Sequence, residues 1–218
     1  MTRPRLLDLF CGAGGCSVGY ARAGFEVVGV DINPQPRYPF EFHQADALTF
    51  PLDGFDAIHA SPPCQAHSDL RHMWNAKQHE DLVAVTRDRL HASGLPYVIE
   101  NVEGAPLRQP LILCGTSFAL GASRAELRRH RLFEVNWPIA TLLPPCGHGR
   151  FPRVIGVYGG HGRDRRRATN TQDFSVAERR EAMGIDWMSS DELSQAIPPA
   201  YTQFIGEQLV THLQAVAA

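Results

Sequence analysis

The sequence predicts an α/β protein built on a doubly wound, mostly parallel sheet. Three observations predict it. Short apolar runs alternate with helix-like stretches, a glycine-rich turn follows the first run, and glycines or polar groups stand just after four runs, at Phe10, Val30, Ala60 and Ile99. Short buried strands alternating with helices build a parallel sheet, and ligands bind beyond the carboxyl ends of its strands.

The elements follow in order. Arg5 to Phe10 reads as a buried first strand, Cys11-Gly12-Ala13-Gly14-Gly15 as the turn after it, and Ser17 to Ala23 as a helix closed by Gly24. Phe25 to Val30 is a second strand ending in Asp31, which completes a βαβ beginning. Phe42 to Ala47 carries a further acidic residue, Asp46, and Phe55 to Ala60 is a strand leading into Ser61-Pro62-Pro63-Cys64-Gln65. Paired prolines restrict the backbone on both sides, so Cys64 is held at a strand end in a stiff extended segment. Ala66 to Gln78 is polar and suits a loop over a site.

Glu80 to Ser93 has helical periodicity with Gly94 as its stop, and Tyr97-Val98-Ile99 leads into Glu100-Asn101-Val102. Leu111 to Gly115 and Arg131 to Val135 read as two more strands. Periodicity then weakens from Asn136 to Gln172, where Pro, Gly, Arg and His take over and an irregular inserted lobe is expected. Ser175 and Glu178 form a capping box for a helix reaching Met183, and Tyr201 to Val216 is a last helix.

Composition narrows the function. A net charge of −2 excludes nucleic-acid binding by bulk positive charge, yet Arg124, Arg128, Arg129, His130 and Arg131 form one basic cluster and Arg150 to Arg167 a second, suited to phosphate. No apolar run is long enough for a membrane helix, and the start of the chain lacks a signal peptide's apolar region, so a cytoplasmic location is expected. The five cysteines, at 11, 16, 64, 114 and 146, lack the spacing of a disulfide framework. Cys146-Gly147-His148 has no second Cys/His pair at finger-like spacing, so no metal site is expected.

A glycine turn followed by an acidic residue at the next strand end is the grammar of a nucleotide-type pocket. Ser17 stands where the dinucleotide fingerprint needs its third glycine, which argues against a hydride-transfer cofactor. Taken together, Asp8 to Gly15, Ser61 to Gln65 and Glu100-Asn101-Val102 resemble the first, nucleophile and acidic motifs of the cytosine-C5 DNA methyltransferase family, in the family's order.

The resemblance implies a Rossmann-like fold, a catalytic domain over 1–135 and 173–218, and a reduced target-recognition lobe over 136–172. It implies Cys64 as the nucleophile that adds to C6 of a flipped cytosine, Glu100 as the acid at N3, and Arg129 and Arg131 as groups that hold the base. S-adenosylmethionine is the implied cofactor, held by Phe10, Gly12, Ala13, Gly14, Gly15, Asp31, Ile32, Asp46, Ala47, Pro63, Gln195 and Ala196. Gln65, Ser68, Arg71, Asn101, Arg163 and Arg165 are the implied contacts to nucleic acid.

Three departures stand beside it. Leu127 replaces the glutamine that opens the arginine motif, Ser194-Gln195 replaces the usual Gly-Asn pair near the end, and the recognition lobe is short. Double-stranded DNA read with short or relaxed specificity is the expected substrate, in a bacterial or phage-like, nucleoid-associated setting. The alternatives are an RNA substrate such as tRNA, a modified methyl donor, and a non-catalytic binding relative.

Overall fold

A computed structural model of the chain describes residues 2–63, 81–140, 142–158, 171–172 and 174–217. Strands β1 (Arg5–Leu9), β2 (Glu26–Asp31), β3 (Glu41–Gln44), β4 (Ala57–Ala60), β5 (Tyr97–Asn101), β6 (Leu111–Leu113) and β9 (Arg131–Val135) form one seven-stranded sheet in the order β3-β2-β1-β4-β5-β9-β6. The first five are parallel and β9 runs antiparallel between β5 and β6. The order reverses between β1 and β4, which opens a crevice at their carboxyl ends.

Alternation along β1 explains the two layers. Leu6 packs with Tyr20, Tyr201, Ile205 and Leu209 from helices α1 (Gly15–Arg22) and α5 (Pro199–Ala217). Leu7 and Leu9 face the other way, toward Leu90 of helix α2 (Val83–Ser93). A strand covered on both faces has no polar side to show, which is why β1, β2, β4 and β5 read as continuous apolar runs. The α1 and α5 helices touch closely because Gly19 and Gly206 leave room for Thr202 and for Tyr20 with Ala23. The α2 layer is pinned by a buried ion pair in which Arg87 Nε lies 2.7 Å from Glu134 Oε1 of β9.

A second, four-stranded sheet has the order β11-β10-β8-β7, from β7 (Gly121–Ala122), β8 (Ala125–Glu126), β10 (Arg153–Ile155) and β11 (Thr171–Gln172). The irregular stretch expected over 136–172 thus contains two strands, and their partners come from the segment before it. Strands of two or three residues have no period to read in a sequence. Helices α3 (Val176–Met183) and α4 (Ser190–Gln195) and the segment between them cover this sheet, with Ala182 and Met183 from α3, Met188 from the segment and Leu193 from α4. The capping box of Ser175 and Glu178 is present as expected. The short α4 was not anticipated, although Ser189 and Glu192 form the same box. No helix among the described residues is long and apolar enough to cross a membrane.

Candidate active site

The turn after β1 is shaped for a close backbone approach. Phe10, Gly12 and Gly14 all have positive φ, at 59°, 49° and 84°. A phenylalanine held there costs about 1–3 kcal/mol, strain of a kind that clusters at ligand sites. The Gly12 N–H donates to Asp31 Oδ2 at 3.0 Å and the Asn33 N–H to Asp31 Oδ1 at 2.9 Å, so the acidic residue at the end of β2 is fixed against the glycine turn. The next residue, Ile32, is 67% exposed and offers an apolar surface beside that carboxylate. Asp31 pairs with Gln44 in the β2-β3 register, which brings Asp46 and Ala47 to the same edge. Asp46 accepts from the Leu48 N–H at 2.9 Å in an exposed turn, and Ala47 is buried.

The far end of the chain closes this turn from the side. A Cβ on Gly15 would lie 2.5 Å from the Ile197 carbonyl oxygen, and the Trp187 indole N–H donates to the Ala13 carbonyl at 2.8 Å. Gln195 and Ala196 therefore stand beside the glycine turn despite the changed motif around them.

At β4 and β5 the acidic group comes into view. The Ser61 N–H donates to the Leu9 carbonyl and the Asn101 amide to the Pro62 carbonyl, at 3.1 Å each, so the segment leading to Cys64 is fastened on both sides. Pro63 is exposed at its end. Cys64, Gln65, Ser68 and Arg71, with Arg163 and Arg165, lie outside the described residues. Glu100 is 5% exposed, with Arg131 Nε 3.2 Å from its Oε1. Burial raises its pKa above the ordinary carboxylate range, against the opposing pull of Arg131, the Ser61 hydroxyl and Arg129. A carboxyl group in that balance holds a proton more readily than a surface glutamate.

Arg129 differs from its expected part. Its guanidinium is buried and donates to three carbonyls: Val157 at 2.5 Å, Ser194 at 3.0 Å and Ala196 at 2.8 Å. Burial, with the nearby Arg131 charge, pulls its pKa down to about 9, so it stays charged at neutral pH. A guanidinium committed to three carbonyls ties the small sheet to the 194–196 segment, and Arg131 is the arginine that faces Glu100. Leu127, where the family has glutamine, is buried in the small sheet's core with Ile155 and Met183.

Several residues of the site escaped the sequence reading. Asp8 is fully buried beneath the glycine turn, hydrogen-bonded by the Ser17 hydroxyl, which itself accepts from Tyr38 Oη at 2.8 Å. Burial raises the Asp8 pKa to about 7, despite the Ser17 bond. Behind Glu100, Tyr20 Oη lies 2.9 Å from His59 Nδ1, and His59 Nε2 lies 2.9 Å from Ser61 Oγ. Burial lowers the His59 pKa to about 3, so the ring is neutral. A neutral ring donates from one nitrogen and accepts at the other; because the Ser61 hydroxyl donates to Glu100, Nε2–H donates to Ser61 and the Tyr20 hydroxyl donates to Nδ1. Asp8 and Ser61 open the first and the nucleophile motif, which was the available signal; nothing in the sequence places Tyr20 beside His59.

Residues 4–105 match the profile of C-5 cytosine-specific DNA methylase. The type II methyltransferase M.XorII of Xanthomonas oryzae pv. oryzae is 60% identical over 35 residues, 16% of this chain and 8% of that relative's length. The chain thus matches well under two thirds of that curated relative. Among solved structures, a protein described as a DNA modification methyltransferase encoded within an E. coli prophage superposes with a TM-score of 0.61 at 15% identity, over 97% of this chain and 99% of the other. The Dnmt2 methyltransferase of S. pombe superposes equally, with a TM-score of 0.61 at 14% identity over 97% and 99%. At these identities the likeness is one of fold. The family likeness lies in residues 4–105, the part of the chain that carries the glycine turn, the Ser61-Pro62-Pro63 segment and Glu100.

Proposed function

We propose that the chain is a DNA cytosine-C5 methyltransferase that uses S-adenosylmethionine and a covalent Cys64–C6 adduct. The observation that carries the reading is the buried Glu100 paired with Arg131 at the sheet edge where the Asp31-bound glycine turn also opens.

The residues present fit the cofactor. The glycine turn gives a wall without side chains, the Asp31 carboxylate suits ribose hydroxyls, and exposed Ile32 suits the adenine face. When bound, S-adenosylmethionine supplies an electrophilic methyl group. The protein's part is to make cytosine C5 nucleophilic. The Cys64 thiolate adds to C6, electron density moves toward N3, and the Glu100 carboxyl group holds the proton there. Arg131 keeps Glu100 oriented and offers its remaining donors to the base. Loss of the C5 proton and expulsion of Cys64 then release 5-methylcytosine. These atoms are reachable only on an unpaired or flipped nucleotide.

The small sheet, with two- and three-residue strands, supports short or relaxed sequence specificity, because base readout needs side chains held rigidly in a groove. A modification role like that in restriction-modification pairs accords with the type II relative. RNA presents the same ring, so tRNA belongs in the test. Incubation with labelled cofactor and duplex DNA is expected to give labelled 5-methylcytosine, absent with Cys64→Ser. Label in tRNA but not in DNA would reassign the substrate, and label undiminished by Cys64→Ser would overturn the mechanism.

A further inference from the structure

Four potential ligands that the sequence scatters come together beside the arginine segment. Cys114 at the end of β6, His130 just before β9, and Cys146 and His148 in the following loop have their ligand atoms all within 4.8 Å of one another. Linear spacing gave no reason to expect a metal here; the β6-β9 pairing supplies what spacing lacked.

We propose that Cys114, His130, Cys146 and His148 form a structural zinc site. The donor set is the two-thiolate, two-imidazole combination that selects tetrahedral Zn²⁺. Zinc-ligand bonds of about 2.0–2.3 Å place neighbouring donors about 3.3–3.8 Å apart in a tetrahedron. Cys114 Sγ lies 3.5 Å from His148 Nε2, and His130 Nε2 lies 3.3 Å from Cys146 Sγ, while Cys146 Sγ and His148 Nε2 are closer, at 2.9 Å. The same nitrogen, Nε2, is directed inward on both histidines. The groups just outside fit as well. His130 Nδ1 faces Glu103 Oε2 at 3.3 Å, the carboxylate-histidine arrangement that fixes a metal-binding tautomer, and Thr116 Oγ1 lies 3.2 Å from Cys114 Sγ as a donor to its thiolate.

The position gives the ion a purpose. His130 stands between Arg129, which ties the small sheet to the 194–196 segment, and Arg131, which pairs with Glu100. The loop carrying Cys146 and His148 is held next to it by Glu126, whose Oε1 accepts from the Gly149 N–H at 2.8 Å. Zinc would join these two segments and fix the backbone from which both arginines project, a positioning role away from the reacting atoms.

The test needs no substrate. The full chain, expressed with added zinc and purified under reducing conditions, is analysed by metal-resolving mass spectrometry. About one zinc per chain is expected. Cys146→Ser and His148→Gln, at exposed ligands whose loss the fold tolerates, are each expected to fall below about 0.2. His91→Gln, on the exposed face of α2, keeps the full amount. Chelation is expected to lower the melting temperature of the parent and leave both ligand variants unmoved. Protein grown on cobalt instead of zinc is expected to absorb visible light as a tetrahedral thiolate-bound Co²⁺ centre. A folded parent chain without zinc that takes up none from solution overturns the proposal, as does iron in its place, a Cys114–Cys146 disulfide, or zinc retained by both ligand variants.

Discussion

Arg131 Nε lies 3.2 Å from Glu100 Oε1 across the antiparallel β5-β9 pair, with both side chains largely withdrawn from solvent. The pairing holds one carboxyl group at the sheet edge, its pKa raised by burial and restrained by Arg131, the Ser61 hydroxyl and Arg129. Glu100→Gln keeps the size and an acceptor for Arg131 but removes the acidic proton. Single-turnover methylation is expected to slow by about 10²–10⁴-fold with little change in melting temperature. A rate within a few-fold of the parent would remove Glu100 from the chemistry.

The two arginines are expected to fail in different ways. Arg129→Lys puts one nitrogen where two now donate, leaves at least one of the three buried carbonyls without a partner, and is expected to lose about 1–3 kcal/mol in denaturant unfolding. Arg131→Lys removes the planar fork beside Glu100 and is expected to lower turnover while unfolding within about 1 kcal/mol of the parent. The reverse pattern would exchange their assignments.

Buried Asp8 links pH to stability. Between pH about 4 and about 7 the folded chain keeps a proton on Asp8 that the unfolded chain has released, so this group's contribution falls as pH rises through that window. Its size is on the order of 4 kcal/mol. His59 acts oppositely: with its pKa lowered to about 3, it makes stability rise with pH up to its unfolded value of 6.5. The parent therefore has a shallow profile in this range. In Asp8→Asn the opposing slope is gone, and any fixed cost of the amide is independent of pH. The melting temperature of the variant minus that of the parent is expected to climb by several degrees from pH 4.5 to pH 7.5. A constant difference would mean that Asp8 titrates normally.

Cofactor affinity is expected to depend on the glycine turn and its carboxylate. Asp31→Ala removes the acceptor for the Gly12 and Asn33 N–H groups along with the proposed ribose contact, and a loss of about 10–100-fold in S-adenosylmethionine affinity is expected by calorimetry. Gly15→Ala forces a methyl group onto the Ile197 carbonyl, and weaker cofactor binding is expected without change at the nucleic-acid step. Unchanged affinity in both would move the cofactor elsewhere.

Legibility in the sequence followed the physical cause of each feature. The βαβ beginning was readable because β1 and β2 are buried on both faces and α1 is bracketed by glycines. The Asp31 and Glu100 positions were readable because a charged group directly after a buried apolar strand stands at the edge where an open sheet binds its ligands. The carbonyl contacts of Arg129 were not readable, because a sequence shows the charge of an arginine and not the three carbonyls around it. The small sheet was hidden because its register joins residues 121–126 to 153–155 and 171–172 through strands too short to show alternation. The Cys/His cluster was hidden for the same reason, since its members meet only once β6 and β9 pair.

The central claim is that Cys64 attacks C6 of a cytosine held against Glu100. Duplex DNA carrying 5-fluorocytosine blocks loss of the C5 substituent after methyl transfer and stalls the reaction at the covalent stage. With S-adenosylmethionine present, the account predicts a denaturation-resistant protein-DNA adduct of one chain per target base, with peptide mapping locating the bond at Cys64 and Cys64→Ser giving none. Methyl transfer to the normal duplex without any adduct on the fluorinated one, or an adduct at another cysteine, would contradict it.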